Sequence, residues 1–219
     1  MTNKRVFHLR EQLNNIYFGA KGFVILKSSK KLKYMNQKFK ERIMLAITEV
    51  NGCEMCSYMH TRIALSSGMS AEYIKNILDG DTSNIPLDEA VAVMFAQDFA
   101  SSKEAPSKES VDRLIKEYGT EKADRIVAAC NIITMTNGMG TSLDYLYNRI
   151  KFNRNRNSNI IIELFNPLLT MLLFPIFTIY FFIKTFIFCK FILFTIFAKL
   201  LFPSPFITCL IKFLFTTFV

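Results

Sequence analysis

Cysteine and histidine are scarce in this chain, which has five cysteines and two histidines among 219 residues. Only Cys53 and Cys56 are close in sequence, whereas Cys130, Cys189 and Cys209 are scattered among apolar residues. An odd and dispersed set of cysteines excludes a structural disulfide framework. The N-terminus also lacks an apolar stretch of the length that a secretory signal requires. We therefore expect the first part of the chain to lie in the reducing cytosol.

Strand patterns are missing as well, because no window alternates polar and apolar residues for more than a few positions. Helical spacing is clear instead, and it predicts an all-α protein. The first 34 residues predict one or two short helices. The later helices are expected at about 36–50, 53–67, 70–78, 87–100, 108–118 and from 120 onwards, with breaks at Gly52, Gly68 and Gly119.

Composition divides the chain into three parts. We expect a helical domain over residues 1–147 and a basic linker over residues 148–159, which has four basic residues, five asparagines and no acid. Residues 160–219 form a hydrophobic tail, and 15 of the 22 phenylalanines lie between Phe165 and Phe218.

The tail predicts a membrane-associated segment. Leu164 to Ile183 are 20 residues without a charge, and as a helix they would span about 30 Å, the thickness of a bilayer core. The next stretch of the tail is interrupted by Lys190, Lys199, Lys212 and Pro203-Ser204-Pro205, so a second crossing that forms a hairpin and an interfacial helix both stay open. The residue types of the tail are also those that AT-rich codons specify, which leaves an extension without a selected role as a third possibility. The basic linker before the first crossing predicts that the helical domain faces the cytoplasm at the cell membrane.

The segment NGCEMCSYMHTRIA carries the residues most suited to chemistry. On a helix, Cys53, Cys56 and His60 fall within about 60° of one another and share a face. Near a helix start, free backbone N–H groups and the macrodipole favour a thiolate, and His60 is close enough to exchange a proton with Cys56. Such a pair suits peroxide or disulfide reduction, with an external dithiol to reset it. Half of a zinc site and two inert buried thiols remain alternatives, although zinc needs a fourth ligand and no second C-x-x-C exists.

The pattern of Glu41, eleven residues, Cys53-Glu54-Met55-Cys56, three residues and His60 resembles the alkylhydroperoxidase D and carboxymuconolactone decarboxylase family over roughly residues 15–150. The resemblance implies that Cys56 reacts with peroxide, that Cys53 resolves the product, and that Glu41 and His60 relay protons. It also implies a homo-oligomer, a trimer or a multiple of one. The alkylhydroperoxidase D enzymes have a second histidine where this chain has Met55, so the proton relay is expected to be simpler.

Taken together, these observations predict a thiol-dependent peroxidase or disulfide oxidoreductase tethered to the membrane. Its expected partners are a hydroperoxide substrate, an external dithiol reductant and the membrane, with no cofactor, metal or nucleic acid. Two alternatives stay open. One is a non-enzymatic redox-sensing module, and the other is a carboxymuconolactone-decarboxylase-like enzyme that acts on a small lactone or acid without the thiols.

Overall fold

A computed structural model describes residues 4–28, 35–81 and 83–201, with side chains as far as Ile187 except for Ser28. This part of the chain contains helices and no strand, so the all-α prediction is confirmed. The helices are α1 Leu9–Ser28, α2 Gln37–Asn51, α3 Glu54–Ser66, α4 Ala71–Leu78, α5 Leu87–Ser101, α6 Lys108–Ile150 and α7 Ile160–Leu201.

The helix boundaries agree with local sequence signals. The side chains of Asn36 and Ser70 accept hydrogen bonds from backbone N–H groups in the first turns of α2 and α4, as helix N-caps do. Gly52 ends α2 with φ 66°, a left-handed conformation that glycine adopts without a steric penalty. Cys53, where the sequence predicted the next helix to begin, is the N-cap of α3, and the helix itself begins one residue later at Glu54.

The two helices predicted at 108–118 and from residue 120 appear as the single range of α6, which is interrupted at Gly119. Its φ of 71° and ψ of 161° are not helical, so the predicted break is present. The N-terminal region forms one helix of 20 residues, α1, instead of short pieces.

The core surrounds α2, which packs against α3, α4, α5 and α6. Its residues Ile43, Leu45 and Ile47 have no exposed surface. Among the described helices, α1 and α6 share the most extensive interface, and small residues there allow the two helices to approach closely. A Cβ added to Gly22 would lie 2.7 Å from the backbone oxygen of Ala128, so a larger side chain would push these helices apart.

The chain divides into two compact units, residues 1–178 and 179–219, and α7 runs through both. Within the first unit, α7 is held by buried polar contacts. Asn166 Nδ2 donates to Phe7 O at 2.8 Å and to Ser142 Oγ at 3.0 Å, and Gln12 Nε2 donates to Thr170 Oγ1 at 2.8 Å. The expected domain boundary at residue 160 therefore falls inside the first unit, and the expected linker begins within the last turn of α6.

The beginning of α7 is also joined to the end of α6. Arg149 Nε and Nη2 contact the two carboxylate oxygens of Glu163 at 2.5 and 2.7 Å, and only 1% of the Glu163 side chain is exposed. Glu163, the acidic residue just before the uncharged stretch that begins at Leu164, is thus buried and paired with Arg149.

The expected apolar C-terminal helix is present, and over Ile160–Ile187 α7 is long and apolar enough to cross a membrane, with a mean hydropathy of 2.0. Both Pro167 and Pro175 lie inside this helix. Of the rest of the tail, where a second crossing and an interfacial helix were both open, the structure describes α7 as far as Leu201, and the part from residue 202 onwards, with Pro203 and Pro205, lies outside the described residues.

Candidate redox site

The cysteine pair lies where α2 turns into α3. Cys53 and Cys56 form a disulfide with their Cα atoms 5.3 Å apart, and the two residues are 1% and 6% exposed. The left-handed turn at Gly52 directs the chain into α3, so that Cys53 caps the helix and Cys56 lies in its first turn. Two thiols three residues apart at a helix start can therefore join without moving the backbone.

A buried carboxylate and an imidazole lie beside this pair. Glu41 of α2 is 2% exposed, and its Oε2 atom is 2.7 Å from His60 Nδ1. Gln37 Nε2 donates to the other oxygen, Oε1, at 2.5 Å. The bond to Glu41 fixes which ring nitrogen of His60 faces inward and leaves Nε2 for proton exchange. The predicted association of Glu41 with His60 is thus present in the structure.

His60 comes one turn after Cys56 on the same helix, as the sequence predicted. In the described part of the chain no hydrogen bond joins the His60 ring to either sulfur, and the polar contact of the Cys56 sulfur is with Thr136 O at 3.6 Å. A proton passing between His60 and Cys56 therefore needs a substrate or water between them.

Helix α6 covers the disulfide through a glycine that the sequence reasoning did not single out. A Cβ added to Gly140 would lie 2.5 Å from Cys53 Sγ and 3.0 Å from Cys56 Sγ. Cε of Met55 would be 3.3 Å from the same point, so this side chain packs beside the sulfurs where the resembling enzymes have histidine. The run of small residues NGMGTS around Gly140 was the available signal for such a close approach.

Asp144, one turn after Gly140, occupies the N-terminus of α3. Burial raises the pKa of Asp144, and the nearby backbone N–H groups of Met55 and Glu54 oppose this rise. The next N–H, that of Cys56, points at Cys53 Sγ at 3.3 Å. One N–H group at this helix start is thus donated to a cysteine sulfur, and the neighbouring helix α6 brings a carboxylate to the same turn.

Charge around Asp144 is balanced by the N-terminal segment. Lys4 Nζ lies 2.8 Å from Glu54 Oε1 and 3.8 Å from Asp144 Oδ2. Burial raises the pKa of Asp144 above its usual range, and the charge of Lys4 opposes that rise.

Cys130 is the other cysteine whose side chain the structure describes, and it lies on α6, fully buried in the core. Burial raises the pKa of its thiol strongly, so Cys130 stays protonated and is not a nucleophile. No group of three or more His, Cys, Asp or Glu side chains suited to a metal ion occurs among the described residues.

The spacing of Glu41, the cysteine pair and His60, and their convergence across α2 and α3, agree with a comparison against protein families. Residues 33–95 match the carboxymuconolactone decarboxylase family. This family includes peroxidase-like and decarboxylase-like members, and the matched segment contains all four predicted site residues. The resemblance stated from the motif is thereby confirmed for this segment. No curated protein and no solved structure matches the chain.

Proposed function

We propose that this chain is a thiol-dependent peroxidase or disulfide oxidoreductase. The observation that supports this most directly is the joined Cys53–Cys56 pair at the start of α3, next to a buried Glu41–His60 pair. A carboxylate-bound imidazole beside a dithiol provides a nucleophile and a proton carrier in one site.

In the proposed cycle the Cys56 thiolate attacks the outer oxygen of a hydroperoxide. The O–O bond breaks, Cys56 becomes a sulfenic acid, and the leaving alkoxide takes a proton from His60. The Cys53 thiol then attacks the Cys56 sulfur, which forms the disulfide and releases water. An external dithiol reduces the disulfide and is itself oxidised, so the sum is hydroperoxide plus dithiol giving alcohol, water and a disulfide.

Glu41 supports the proton transfer from its buried position. The carboxylate bound to Nδ1 holds the imidazole in one orientation, so that Nε2 is the ring nitrogen available to exchange a proton with the substrate. His60 is less buried than Glu41, since 17% of its side chain is exposed compared with 3%. The imidazole is therefore the member of the pair that meets the substrate.

The apolar part of α7 supports an association of this activity with a membrane. The basic residues Arg149, Lys151, Arg154 and Arg156 precede the uncharged stretch, which favours an orientation with the redox domain on the cytoplasmic side of the cell membrane. Peroxides of membrane lipids or quinones would then be near the site. The resemblance further supports a homo-oligomeric assembly, a trimer or a multiple of one.

The experiment is peroxide consumption by the full chain in detergent or lipid, with a small dithiol as electron donor. We expect turnover that Cys56→Ser abolishes, and a sulfenic acid that accumulates in Cys53→Ser. Glu41→Gln keeps the side-chain shape and removes the charge, and we expect it to lower the rate by about 10² to 10⁴, the usual contribution of acid–base catalysis. Cys130→Ser is the matched thiol control and should leave the rate unchanged. Absence of turnover with several peroxides and donors would contradict the proposal.

A decarboxylase-like activity is the second candidate. It is favoured by the Glu41–His60 pair, whose hydrogen bond involves neither sulfur. In that case a variant lacking both Cys53 and Cys56 would keep its activity on a small lactone or acid. A protein that changes its oligomer size between dithiol and disulfide states, without turnover, would instead be a redox sensor.

A further inference from the structure

The aromatic contacts between α7 and α1 lie at the middle of the long apolar stretch of α7. The stretch Ile160–Ile187 has the length and hydropathy of a membrane span, and its midpoint is next to Phe174. The ring of Phe174 packs edge to face against Phe23 of α1, with the centroids 5.6 Å apart. Phe177 packs in the same way against Tyr17. If this stretch crossed a bilayer, α1 would therefore be held at the level of the bilayer centre.

Helix α1 carries polar and charged side chains at this level. Lys27 Nζ lies 5.7 Å from the centroid of the same Phe23 ring, and Lys21 and Asn14 are exposed on this helix. A charged side chain is strongly unfavourable at the centre of a bilayer. Half of a hydrocarbon core of about 30 Å is also further than a lysine side chain extends, so its ammonium group would not reach the headgroups. The part of α7 up to residue 178 therefore cannot lie across the hydrocarbon core while it keeps its contacts with α1.

The opposite face of α7 is apolar and exposed. Its residues recur at intervals of three or four, and we call them the α7 stripe: Ile161, Leu164, Leu168, Leu172 and Ile176. On a helix, the centre of this stripe lies roughly 180° from Asn166, Thr170, Phe174 and Phe177, which contact the helical domain. An exposed apolar surface of this extent marks a contact with a lipid or protein partner.

The turn directly before α7 favours a lipid surface as that partner. Phe152 is 99% exposed, and the cations Lys151, Arg154 and Arg156 around it are exposed as well. An exposed aromatic ring among cations matches anionic headgroups with hydrocarbon beneath them. A second copy of the chain would offer no complementary charge through the same turn, because residues 148–159 contain four basic residues and no acid.

We propose that the first half of α7 lies flat on an anionic lipid surface. The α7 stripe and Phe152 then enter the upper part of the acyl layer, and the opposite side of the helix stays docked on α1. This rests on the membrane association proposed above, but not on the thiol chemistry. It replaces the expected crossing over residues 164–183 by an interfacial helix over residues 160–178, so the helical domain is attached to the membrane along a helix and not only at one point of the chain.

The test is the depth of single tryptophans in the membrane, which is simple to measure because the chain contains no tryptophan. Leu164→Trp, Leu172→Trp and Ile176→Trp each place an indole at an exposed position of the α7 stripe in the full chain. The variants are reconstituted into phosphatidylcholine and phosphatidylglycerol vesicles whose acyl chains carry bromine at a shallow or a deep position, and the quenching of fluorescence is compared. We expect stronger quenching by shallow bromine in all three variants, at one common depth about 5–10 Å below the headgroup boundary. A crossing helix would instead separate positions 164 and 176 by about 18 Å and place position 172 near the bilayer centre.

Tyr58→Trp is the matched control, because Tyr58 is an exposed aromatic residue on α3, which packs against α2, α4 and α6, and it should not be quenched. Deepest quenching in Leu172→Trp, with clearly different depths for the other two stripe variants, would overturn the flat orientation and leave the membrane association intact. Stripe variants that float with the vesicles but are quenched no more than the control would show that protein covers the stripe, which would also overturn the proposal. A full chain that does not float with the vesicles would refute the membrane association itself. None of these results depends on peroxide turnover.

Discussion

Substitution of Gly140 by alanine tests the contact between α6 and the cysteine pair. The new Cβ would lie 2.5 Å from Cys53 Sγ, whereas ordinary contacts between non-bonded heavy atoms begin at about 3.5 Å. The sulfurs are tied to each other and to α3 by their disulfide, so they cannot turn away separately. Helices α3 and α6 would have to separate by about 1 Å, which disturbs close packing along both.

Two opposing contributions determine the size of the effect. Alanine in place of glycine inside a helix stabilises it by about 1 kcal/mol. Overpacking of a core costs about 1–3 kcal/mol, and we expect the upper end because the neighbouring atoms are constrained. The net loss is therefore about 2 kcal/mol, or a fall in melting temperature of roughly 4–8 °C.

Thermal unfolding of the oxidised full chain measures this change. The decisive control is the same substitution in a variant with Cys53→Ala and Cys56→Ala, where the sulfurs are absent and only the gain in helix propensity remains. In that background Gly140→Ala should be neutral or stabilising. An equal loss of stability in both backgrounds would refute the explanation through the sulfur contact.

Two further substitutions test the electrostatics of α2 and the attachment of α7. Burial raises the pKa of Glu49, so the charged carboxylate destabilises the folded state at pH values above that raised pKa. Glu49→Gln should therefore raise the melting temperature at pH 7. This gain should disappear as the pH is lowered to about 4.5, the usual pKa of the carboxyl group. A gain that is the same at both pH values would contradict this. Asn166→Ala removes the donor to Phe7 O and Ser142 Oγ, which should cost about 1–3 kcal/mol in thermal unfolding. Leu164→Ala, on the exposed side of the same helix, should cost clearly less, and equal losses would argue against the buried contact.

Much of the fold was predictable because its signals are local. Asn36 and Ser70 cap helices, Gly52 and Gly68 end them, and the apolar residues between have the helical period. The shared face of Cys53, Cys56 and His60 also results from spacing within one helix. Glu41 could be assigned only through the family resemblance, because it reaches His60 from a different helix.

The rest depends on contacts between distant parts of the chain. Gly140 contacts the cysteine pair from nearly 90 residues away, and although the small residues around it allow a close approach, they do not indicate which part of the chain approaches. Similarly, Asn166 and Thr170 lie within an apolar run. From composition alone, they only make the free energy of membrane insertion slightly less favourable. Their spacing places them on one face of α7, where they bind residues of the first unit.

The central claim is that Cys53 and Cys56 exchange between dithiol and disulfide in response to a hydroperoxide. The most direct measurement is the intact mass of the reduced full chain after one equivalent of peroxide, combined with alkylation and peptide mapping. We predict the loss of two hydrogen atoms, located at Cys53 and Cys56, with Cys130 unchanged. A chain in which this pair stays reduced, or in which oxygen accumulates at other residues instead, would contradict the account.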